Sequence, residues 1–176
     1  MNKAMFLDRD GVINEVLSER VEFVNEPDDF HLLEGVGEAV RLFNEAGFKV
    51  FVVTNQGGIG LGFMGESALT SVHTRMENDL AVFGARVDDI AYCAHKPHEQ
   101  CACRKPKPEM ILRLAEKYDV DLGNSYMVGD RAPDIEAGKA AGTKTILVGE
   151  QKTGDAGADF VFPDLLSAAW AVCKRE

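Results

Sequence analysis

The sequence predicts an α/β fold in which an open, doubly wound parallel sheet is covered by helices on both faces. Short apolar runs rich in β-branched and aromatic residues recur along the chain, as expected for strands buried on both faces. Stretches with helical spacing of apolar residues lie between these runs, and this alternation favours right-handed crossovers and a parallel sheet. No repeat, low-complexity tract or linker interrupts the pattern, so we expect one domain over residues 1–176.

The elements follow one another in a regular order. The predicted strands are Ala4 to Leu7, Lys49 to Val53, Ile90 to Tyr92, Tyr126 to Val128, Thr145 to Val148 and the short pair Phe160 and Val161. The predicted helices are Val36 to Ala46, Ser67 to Phe83, Pro108 to Tyr118, Ile135 to Ala141 and Leu165 to Cys173. Glycine follows the first and fourth helices and proline opens the third, which is typical of helix ends. We expect His31 and His73 at the surface, Trp170 on the apolar face of the last helix, and Cys173 packed as a small hydrophobic residue.

Composition and charge restrict the function classes. The 176 residues contain 29 acidic and 19 basic side chains, a formal net charge of −10. Nucleic acids and anionic membranes recruit basic surfaces, so neither is an expected partner. No signal peptide or long apolar span is recognisable, and a cytoplasmic protein is expected. No broad amphipathic seam demands a dimer, and we expect a monomer that binds a small phosphorylated metabolite.

Polar residues concentrate where four of the predicted strands end. In folds of this kind, ligands bind beyond the carboxyl ends of the strands. The four junctions are Asp8 to Gly11, Thr54 to Gly57, Cys93 to Lys105, and Gly129 to Arg131 with Asp134 following. Because these junctions share one edge of the sheet, we expect their side chains to converge.

The aspartates at this edge favour a hard cation and phosphoryl chemistry. Asp8 and Asp10 are two residues apart, and Asp130 reaches the same edge from another strand, an all-oxygen set that suits Mg²⁺. One carboxylate can attack phosphorus while the second acts as general acid and base. Lys105, the Thr54 hydroxyl and the cation would balance the negative charge. Taken alone, the first junction is equally compatible with a solvated turn, because Asp and Gly are common turn residues.

Four segments resemble, in chain order, the four motifs of haloacid dehalogenase-like (HAD) phosphatases. They are Asp8-Arg9-Asp10-Gly11-Val12, Thr54-Asn55-Gln56, Arg104-Lys105-Pro106 and Gly129-Asp130-Arg131-Ala132-Pro133-Asp134. The resemblance covers nearly the whole chain and implies a Rossmann-like, HAD-like fold. Val12 departs from the Thr often found after the Gly in this superfamily, which removes one supporting hydroxyl.

The resemblance also implies roles for individual residues. Asp8 would be the nucleophile and Asp10 the general acid and base. Mg²⁺ would be held by Asp8, Asp130 and the Asp10 carbonyl, and Asp134 would hold the acidic loop from behind. The residues expected to bind the phosphoryl group or substrate are Thr54, Asn55, Arg104 and Lys105. Arg9, between the two aspartates, is expected to pair with a carboxylate.

A cluster of cysteines predicts a second metal site. Cys93, His95, Cys101 and Cys103 fall within 11 residues and supply three thiolates and one imidazole, a tetrahedral Zn²⁺ set. His98 is an alternative to His95, which is preferred because its spacing from Cys93 mirrors that of the second pair. Four protein ligands leave no open position, so this Zn²⁺ would be structural. It would fix the following residues, Arg104 and Lys105, at the mouth of the aspartate site.

The remaining segments indicate the substrate class. Residues 13–34 are too few for a globular cap, so the site should be open to small phosphorylated metabolites. The zinc loop and the segment Phe23 to Val36 resemble HAD subfamily IIIA phosphatases that act on heptose 1,7-bisphosphate or on histidinol phosphate. The five-residue gap between His95 and Cys101 favours histidinol phosphate, whereas the Phe23 segment favours the heptose, which we prefer. Its second phosphate would need a cation, foremost Arg104, then Lys96, Lys107 or Arg131.

Two other classes of function remain. A binding module on an inactive phosphatase scaffold is opposed by the complete set of acidic and basic residues. A phosphotransferase or mutase is opposed by the missing cap, since such enzymes must exclude water from the acyl phosphate. The glycines from Gly57 to Gly62 lack nucleotide-binding spacing and are interpreted as a flexible approach to the substrate.

Overall fold

A parallel sheet forms the centre of the molecule, as predicted. The computed structural model describes residues 1–149 and 154–175. Its strands are β1 (Ala4–Leu7), β2 (Lys49–Asn55), β3 (Asp89–Cys93), β4 (Tyr126–Gly129), β5 (Lys144–Val148) and β6 (Phe160–Phe162). Within the described residues they pair in the order β3-β2-β1-β4-β5-β6, and every pairing is parallel. β1 therefore lies between the strands that carry the second and fourth motifs.

Helices cover both faces of this sheet, which confirms the doubly wound fold. They are α1 (Val36–Glu45), α2 (Glu66–Ala81), α3 (Glu109–Lys117), α4 (Ala132–Ala141) and α5 (Leu165–Cys173). One core lies between the sheet and α1, α2 and α5, and a second lies between the sheet and α3 and α4. Alternate residues of β1 supply the two cores: Met5 and Leu7 enter the first, and Ala4 and Phe6 the second.

Local sequence explains where the helices begin and end. α1 buries Val40 and Phe43 on one side and is followed by Gly47, whose φ of +84° is the left-handed conformation that glycine tolerates. α4 begins at Ala132, three residues before the predicted start, because Pro133 occupies the first turn, where its missing N–H costs nothing. α5 begins after Asp164, whose side chain accepts a 2.7 Å hydrogen bond from the backbone N–H of Ser167.

Burial at the edges of the sheet differs from the prediction. The central strands are buried on both faces, but Tyr92 on β3 and Val161 on β6 are 36% and 48% exposed. Both belong to edge strands, which have a neighbour on one side. Trp170 is 44% exposed, so its predicted place on the apolar face of α5 was wrong. That face consists of Leu165, Ala168, Ala169 and Val172.

The segment between β1 and α1 contains no globular cap. Within it the structure has one 3₁₀ turn at Pro27–Asp29, and Asn14 makes isolated bridges with Asp10 and with Leu32. The segment thus lies along the carboxyl edge of the sheet. None of the helices in the described part of the chain has the length and apolarity needed to cross a membrane.

Candidate active site

The carboxyl ends of β1, β2 and β4 bring the predicted residues together. The last residue of β1, Leu7, pairs with Val52 on one side and Val128 on the other. Asp8 directly follows β1, Asp130 follows β4, and Thr54 and Asn55 end β2. Parallel register therefore places side chains from three distant segments at a single edge.

Lys105 is the buried centre of this cluster. Its Nζ donates to Asp8 Oδ1 at 2.8 Å, to Asp134 Oδ1 at 2.7 Å and to the Val53 carbonyl at 2.8 Å. These three bonds use all three donors of the ammonium group. Lys105, Asp8 and Asp134 are only 4%, 6% and 3% exposed, so the charges are compensated by one another rather than by water.

Asn55 holds Lys105 in place from the backbone side. Its Nδ2 donates to the Lys105 carbonyl at 3.2 Å, and its Oδ1 accepts from the Lys105 N–H at 3.0 Å. The amide expected to bind phosphate is thus engaged with the lysine backbone. Asn55 also lines the cleft above the aspartates, so both functions are compatible with its position.

The carboxylates carry more negative charge than the lysine compensates. Burial and then the charge of Asp134 raise the pKa of Asp8 well above its usual value, although Lys105 acts in the opposite direction. Burial and Asp134 likewise raise the pKa of Asp130. Burial would lower the pKa of Lys105, but the charges of Asp8 and Asp134 outweigh it and raise that pKa. The site therefore favours an additional cation.

The geometry of the acidic group fits Mg²⁺. Carboxylate oxygens of Asp8, Asp130 and Asp134 lie within 4.8 Å of one another, and buried Asp130 Oδ1 has no hydrogen-bond partner among the described residues. Both oxygens of Asp134 already accept hydrogen bonds: Oδ1 from Lys105 Nζ, and Oδ2 from the Arg131 N–H at 3.3 Å. Among the described residues of this group, the buried carboxylate oxygen without a partner is therefore on Asp130, and an oxygen-only donor set of this kind suits a hard divalent ion.

Two glycines permit this close approach of carboxylates. A Cβ on Gly11 would collide with the Asp130 carboxylate, and Gly11 also has a φ of +86°. A Cβ on Gly129 would collide with the side chain of Asp134. Both glycines belong to the first and fourth motifs, and their small size explains their presence beside the aspartates.

Asp10 and Thr54 form the polar floor beside this group. Asp10 Oδ1 accepts from Arg9 and from Asn14 Nδ2, the latter at 2.9 Å. Thr54 is fully buried, and its Oγ1 accepts from Gln56 Nε2 at 2.8 Å. Arg9 pairs with a carboxylate as predicted. No role was predicted for Asn14 or for Gln56, although Gln56 belongs to the second motif.

The predicted zinc ligands also lie together. Their ligand atoms, one each from Cys93, His95, Cys101 and Cys103, are within 4.8 Å of one another. His95 Nδ1 is 3.3 Å from Cys93 Sγ and 3.2 Å from Cys103 Sγ, so His95 rather than His98 belongs to the group. Burial and then Cys93 raise the pKa of Cys103 to about 12, so the Cys103 thiol needs a nearby cation to ionise. Three sulfurs and one nitrogen suit Zn²⁺.

The glycines after β2 pack against this loop. The N–H of Gly60 donates to the Ala94 carbonyl at 3.0 Å, and a Cβ on Gly60 would lie 2.8 Å from that oxygen. Gly57 and Gly58 line the cleft. Close packing therefore accounts for Gly60, and the predicted flexible approach to the substrate remains a prediction.

A cleft of about 550 Å³ opens above the aspartates. Asp10 and Asp130 contribute to its floor, and Arg104 and Arg131 are the basic residues among its lining side chains. Arg104 Nη1 also donates to the His95 carbonyl at 3.4 Å, which ties it to the cysteine loop. Lys96 and Lys107 do not line this cleft, so the two arginines are better placed to meet a second phosphate. Apolar side chains also line the cleft, among them Val16, Leu17, Phe23, Leu61, Phe63 and Met64.

Comparisons with known proteins agree with this arrangement. The family model described as "HAD-hyrolase-like" matches residues 102–168. The D-glycero-beta-D-manno-heptose-1,7-bisphosphate 7-phosphatase of Yersinia pestis is 38% identical over 184 residues, which cover 98% of this chain and 96% of the relative. The Rhodopseudomonas palustris protein of the same name is 40% identical over 146 residues and 79% of each chain.

A crystal structure supports the same relationship. D,D-heptose 1,7-bisphosphate phosphatase from B. bronchiseptica, complexed with magnesium and phosphate, has a TM-score of 0.91 to this chain at 35% identity. The comparison covers 99% of both chains. The likeness in fold thus extends over nearly the whole chain.

Proposed function

The chain belongs to the HAD-like phosphatases, and from this premise we propose that it removes the 7-phosphate of D-glycero-D-manno-heptose 1,7-bisphosphate in a Mg²⁺-dependent reaction. The contact that supports this most directly is the 2.8 Å hydrogen bond from Lys105 Nζ to Asp8 Oδ1, beside Asp10 and Asp130. This contact joins the Asp8 carboxylate to a buried cation at one strand edge, which supports the roles that we propose for Asp8 as nucleophile and for nearby Asp10 as proton donor.

Asp8 is proposed as the nucleophile. Its carboxylate attacks the phosphorus of the 7-phosphate and forms an aspartyl phosphate, while Asp10 protonates the leaving oxygen of the sugar. Asp10 then removes a proton from water, which hydrolyses the aspartyl phosphate and regenerates Asp8. We infer that Thr54, Asn55 and Lys105 bind the phosphoryl group. Lys105 would exchange one of its three hydrogen bonds for a phosphoryl oxygen, and Asn55 also fixes the lysine.

The metals have separate proposed roles. Asp8, Asp130 and the Asp10 carbonyl would hold Mg²⁺, which when bound supplies positive charge against the phosphoryl oxygens. Cys93, His95, Cys101 and Cys103 would hold a structural Zn²⁺ that fixes Arg104 and Lys105 at the cleft. Asp134 holds Lys105 from behind.

Substrate choice follows from the cleft and the relatives. Arg104 and Arg131 can meet the phosphate at C1 while the 7-phosphate reacts. The short gap between His95 and Cys101, which favours histidinol phosphate, is outweighed by relatives of the heptose type along most of the chain.

Phosphate release from the two substrates tests this proposal. We expect a higher kcat/KM for the heptose bisphosphate than for histidinol phosphate. Asp8→Asn should abolish release from both, whereas Asp28→Asn, an exposed carboxylate of the 3₁₀ turn, should retain it. A preference for histidinol phosphate would refute the substrate, and turnover by Asp8→Asn would refute the nucleophile. If the wild type releases phosphate from neither compound, a binding module would be favoured.

A further inference from the structure

A buried chain of polar side chains lies beneath Asp10. Arg9 is completely buried, and its Nε and Nη2 donate to Asp10 Oδ1 at 3.0 and 2.9 Å. On the far side of the guanidinium, Arg9 Nη1 lies 3.1 Å from Nε2 of His73. His73 comes from α2 and is 8% exposed, so the prediction that it lies at the surface was wrong. The chemistry proposed above assigns no role to His73 or Arg9.

The contact with Arg9 defines the protonation state of His73. A guanidinium group has donors and no acceptor, so Nε2 of His73 must offer its lone pair. The imidazole is therefore neutral and carries its proton on Nδ1. The pKa of His73 agrees: burial and then the charge of Arg9 lower it to about 4, and Asp10 only partly opposes them. His73 thus acts as a fixed acceptor for the buried guanidinium.

The two carboxylate oxygens of Asp10 are consequently different. Oδ1 receives three hydrogen bonds, two from Arg9 and one from Asn14 Nδ2. Among the described residues, Oδ2 has one long contact, with Gln56 Nε2 at 3.4 Å. An oxygen that already accepts three hydrogen bonds is a poor proton acceptor, since each donor stabilises its negative charge. Oδ2 is the oxygen left for proton transfer.

We propose that His73 is a positioning residue for the acid–base chemistry. It holds the Arg9 guanidinium in the orientation that occupies Asp10 Oδ1, and it thereby leaves Oδ2 to carry the transferred proton. As the Asp8–phosphorus bond forms and the bond to the sugar oxygen breaks, the proton on Oδ2 passes to that oxygen. Water then attacks phosphorus and returns a proton to Oδ2 as inorganic phosphate leaves. This inference rests on the phosphatase function proposed above.

Substrates with different leaving groups separate positioning from a general structural effect. An alkyl phosphate such as the heptose bisphosphate needs a proton on its leaving oxygen, whereas p-nitrophenyl phosphate releases a stable phenolate. Because kcat/KM includes bond cleavage and excludes the later hydrolysis step, its ratio for the two substrates reports the proton donor. General acid catalysis contributes roughly 10²- to 10⁴-fold, and a misplaced donor loses part of that factor.

Two amide side chains of different length at position 73 make a matched pair. In His73→Gln the side-chain oxygen can reach the place of Nε2, whereas in His73→Asn the shorter chain leaves Arg9 without that acceptor. We expect His73→Asn to lower kcat/KM for the alkyl phosphate about tenfold and that for p-nitrophenyl phosphate less than twofold. We expect His73→Gln to keep the wild-type ratio. Val72→Ala, a buried neighbour on α2 whose side chain has no polar group, controls for loss of stability and should also keep the ratio.

The outcomes are distinguishable. His73 has no positioning role, and this inference is wrong, if His73→Asn lowers kcat/KM equally for both substrates. The same holds if His73→Gln lowers the ratio of the two kcat/KM values as much as His73→Asn does. If His73→Asn does not fold, His73→Leu, which also offers Arg9 no acceptor, takes its place: an unchanged ratio overturns the inference, and a fall confined to the alkyl phosphate supports it. Failure of the wild type to hydrolyse either compound would overturn the proposed function itself.

Discussion

The carboxyl edge of the sheet and the cysteine loop, residues 93–103, are held in place by different interactions. At the edge, buried Lys105 bonds directly to Asp8 and Asp134, and strands on either side of β1 fix the segments that carry them. In the loop, His95 is exposed, and Cys101 and Cys103 are half-buried. Nearby backbone contacts are few, such as the Gly60 N–H to the Ala94 carbonyl.

The comparison shows that strand pairing and the core form the geometry of the edge, whereas the cysteine loop is expected to need a bound ion. The edge is formed by strand pairing and by charged groups that satisfy one another, so its geometry follows from the core. The loop brings three thiols together, and we expect its order to depend on the ion proposed to bind them. Lys105 connects the two regions, because it lies two residues after Cys103 yet is buried with the aspartates. We therefore expect the edge to be stable without Zn²⁺ and the approach to it to depend on Zn²⁺.

Replacement of Lys105 should have the largest effect on activity. Lys105→Met removes the partner shared by two buried carboxylates, which costs about 3–5 kcal/mol of unfolding free energy. We expect kcat/KM to fall on the order of 10³-fold, since charge stabilisation at the phosphoryl group is lost. Urea unfolding and phosphate release measure the two effects. Lys144→Met, at an exposed lysine of β5, should change both only slightly, and an equal loss there would contradict this account.

Loss of Zn²⁺ should have a smaller effect, confined to the loop. Removal of Zn²⁺ by a Zn²⁺-selective chelator, with Mg²⁺ restored in excess, should lower kcat/KM about 10- to 100-fold and expose the loop to proteolysis. Cys101→Ala should act in the same way. Cys173→Ala removes the cysteine outside the cluster and should leave activity and cleavage unchanged. Full turnover without Zn²⁺ would show that the loop does not position Arg104 and Lys105.

The stability of the edge should depend on pH through His73. Its folded-state pKa of about 4 lies below the ordinary value of 6.5, so the unfolded chain binds more protons between these values. The stabilisation is fully present above pH 6.5 and disappears as the pH falls towards 4, a change of about 3 kcal/mol. Arg9, Asp10 and Tyr92 are the charged or titratable groups that face it.

Urea unfolding of the wild type and of His73→Gln at pH 7 and 4.5 isolates this effect, because every other titrating group is shared. The variant should lose less stability than the wild type between the two pH values. Equal losses would show that the imidazole is not neutral and buried in solution.

Substitution of Gly60, which lies at the contact between the two regions, should have the smallest effect on activity and stability. Gly60→Ala places a methyl group 2.8 Å from the Ala94 carbonyl and 3.1 Å from Lys96, so the loop must shift by a few tenths of an ångström. We expect kcat/KM to fall a fewfold and stability by about 1 kcal/mol. Gly65→Ala is the matched control, since nothing lies within 4 Å of its added methyl group. Identical behaviour of the two variants would mean that the loop is not in contact with Gly60.

Most of the fold was predictable because its strands are continuous runs of apolar residues and because two of its helices, α1 and α3, have clear apolar stripes. The motif residues were predictable for a related reason: each follows a buried strand, and parallel strands end at one edge. Start positions were less accurate, as for α4, where Pro133 allows helix three residues before the first buried isoleucine. The exposure of Trp170 could not be read from periodicity, because small alanines cover the core on that side of α5.

The missed parts of the site depend on pairwise geometry. His73 is a single polar residue on a mixed helix, and its burial becomes favourable only beside the guanidinium of Arg9, 64 residues away. Gln56 reaches Thr54 and Asp10 through a turn that the sequence does not specify. Asn55 was predicted to bind phosphate. Its two hydrogen bonds to the Lys105 backbone could not be predicted, because they depend on the path of the loop.

The position of β1 in the middle of the sheet has a consequence for biosynthesis. β1 pairs with β2 and with β4, which begins more than a hundred residues later, at Tyr126. When Asp8 has been synthesised, the ribosome still has to add the residues up to Lys105, 97 positions further on, and then those up to Asp130. Such long-range pairing slows folding and leaves apolar strand edges open while translation proceeds. The nascent chain therefore assembles its complete acidic edge only late in synthesis, when the strand before Asp130 docks beside the strand before Asp8.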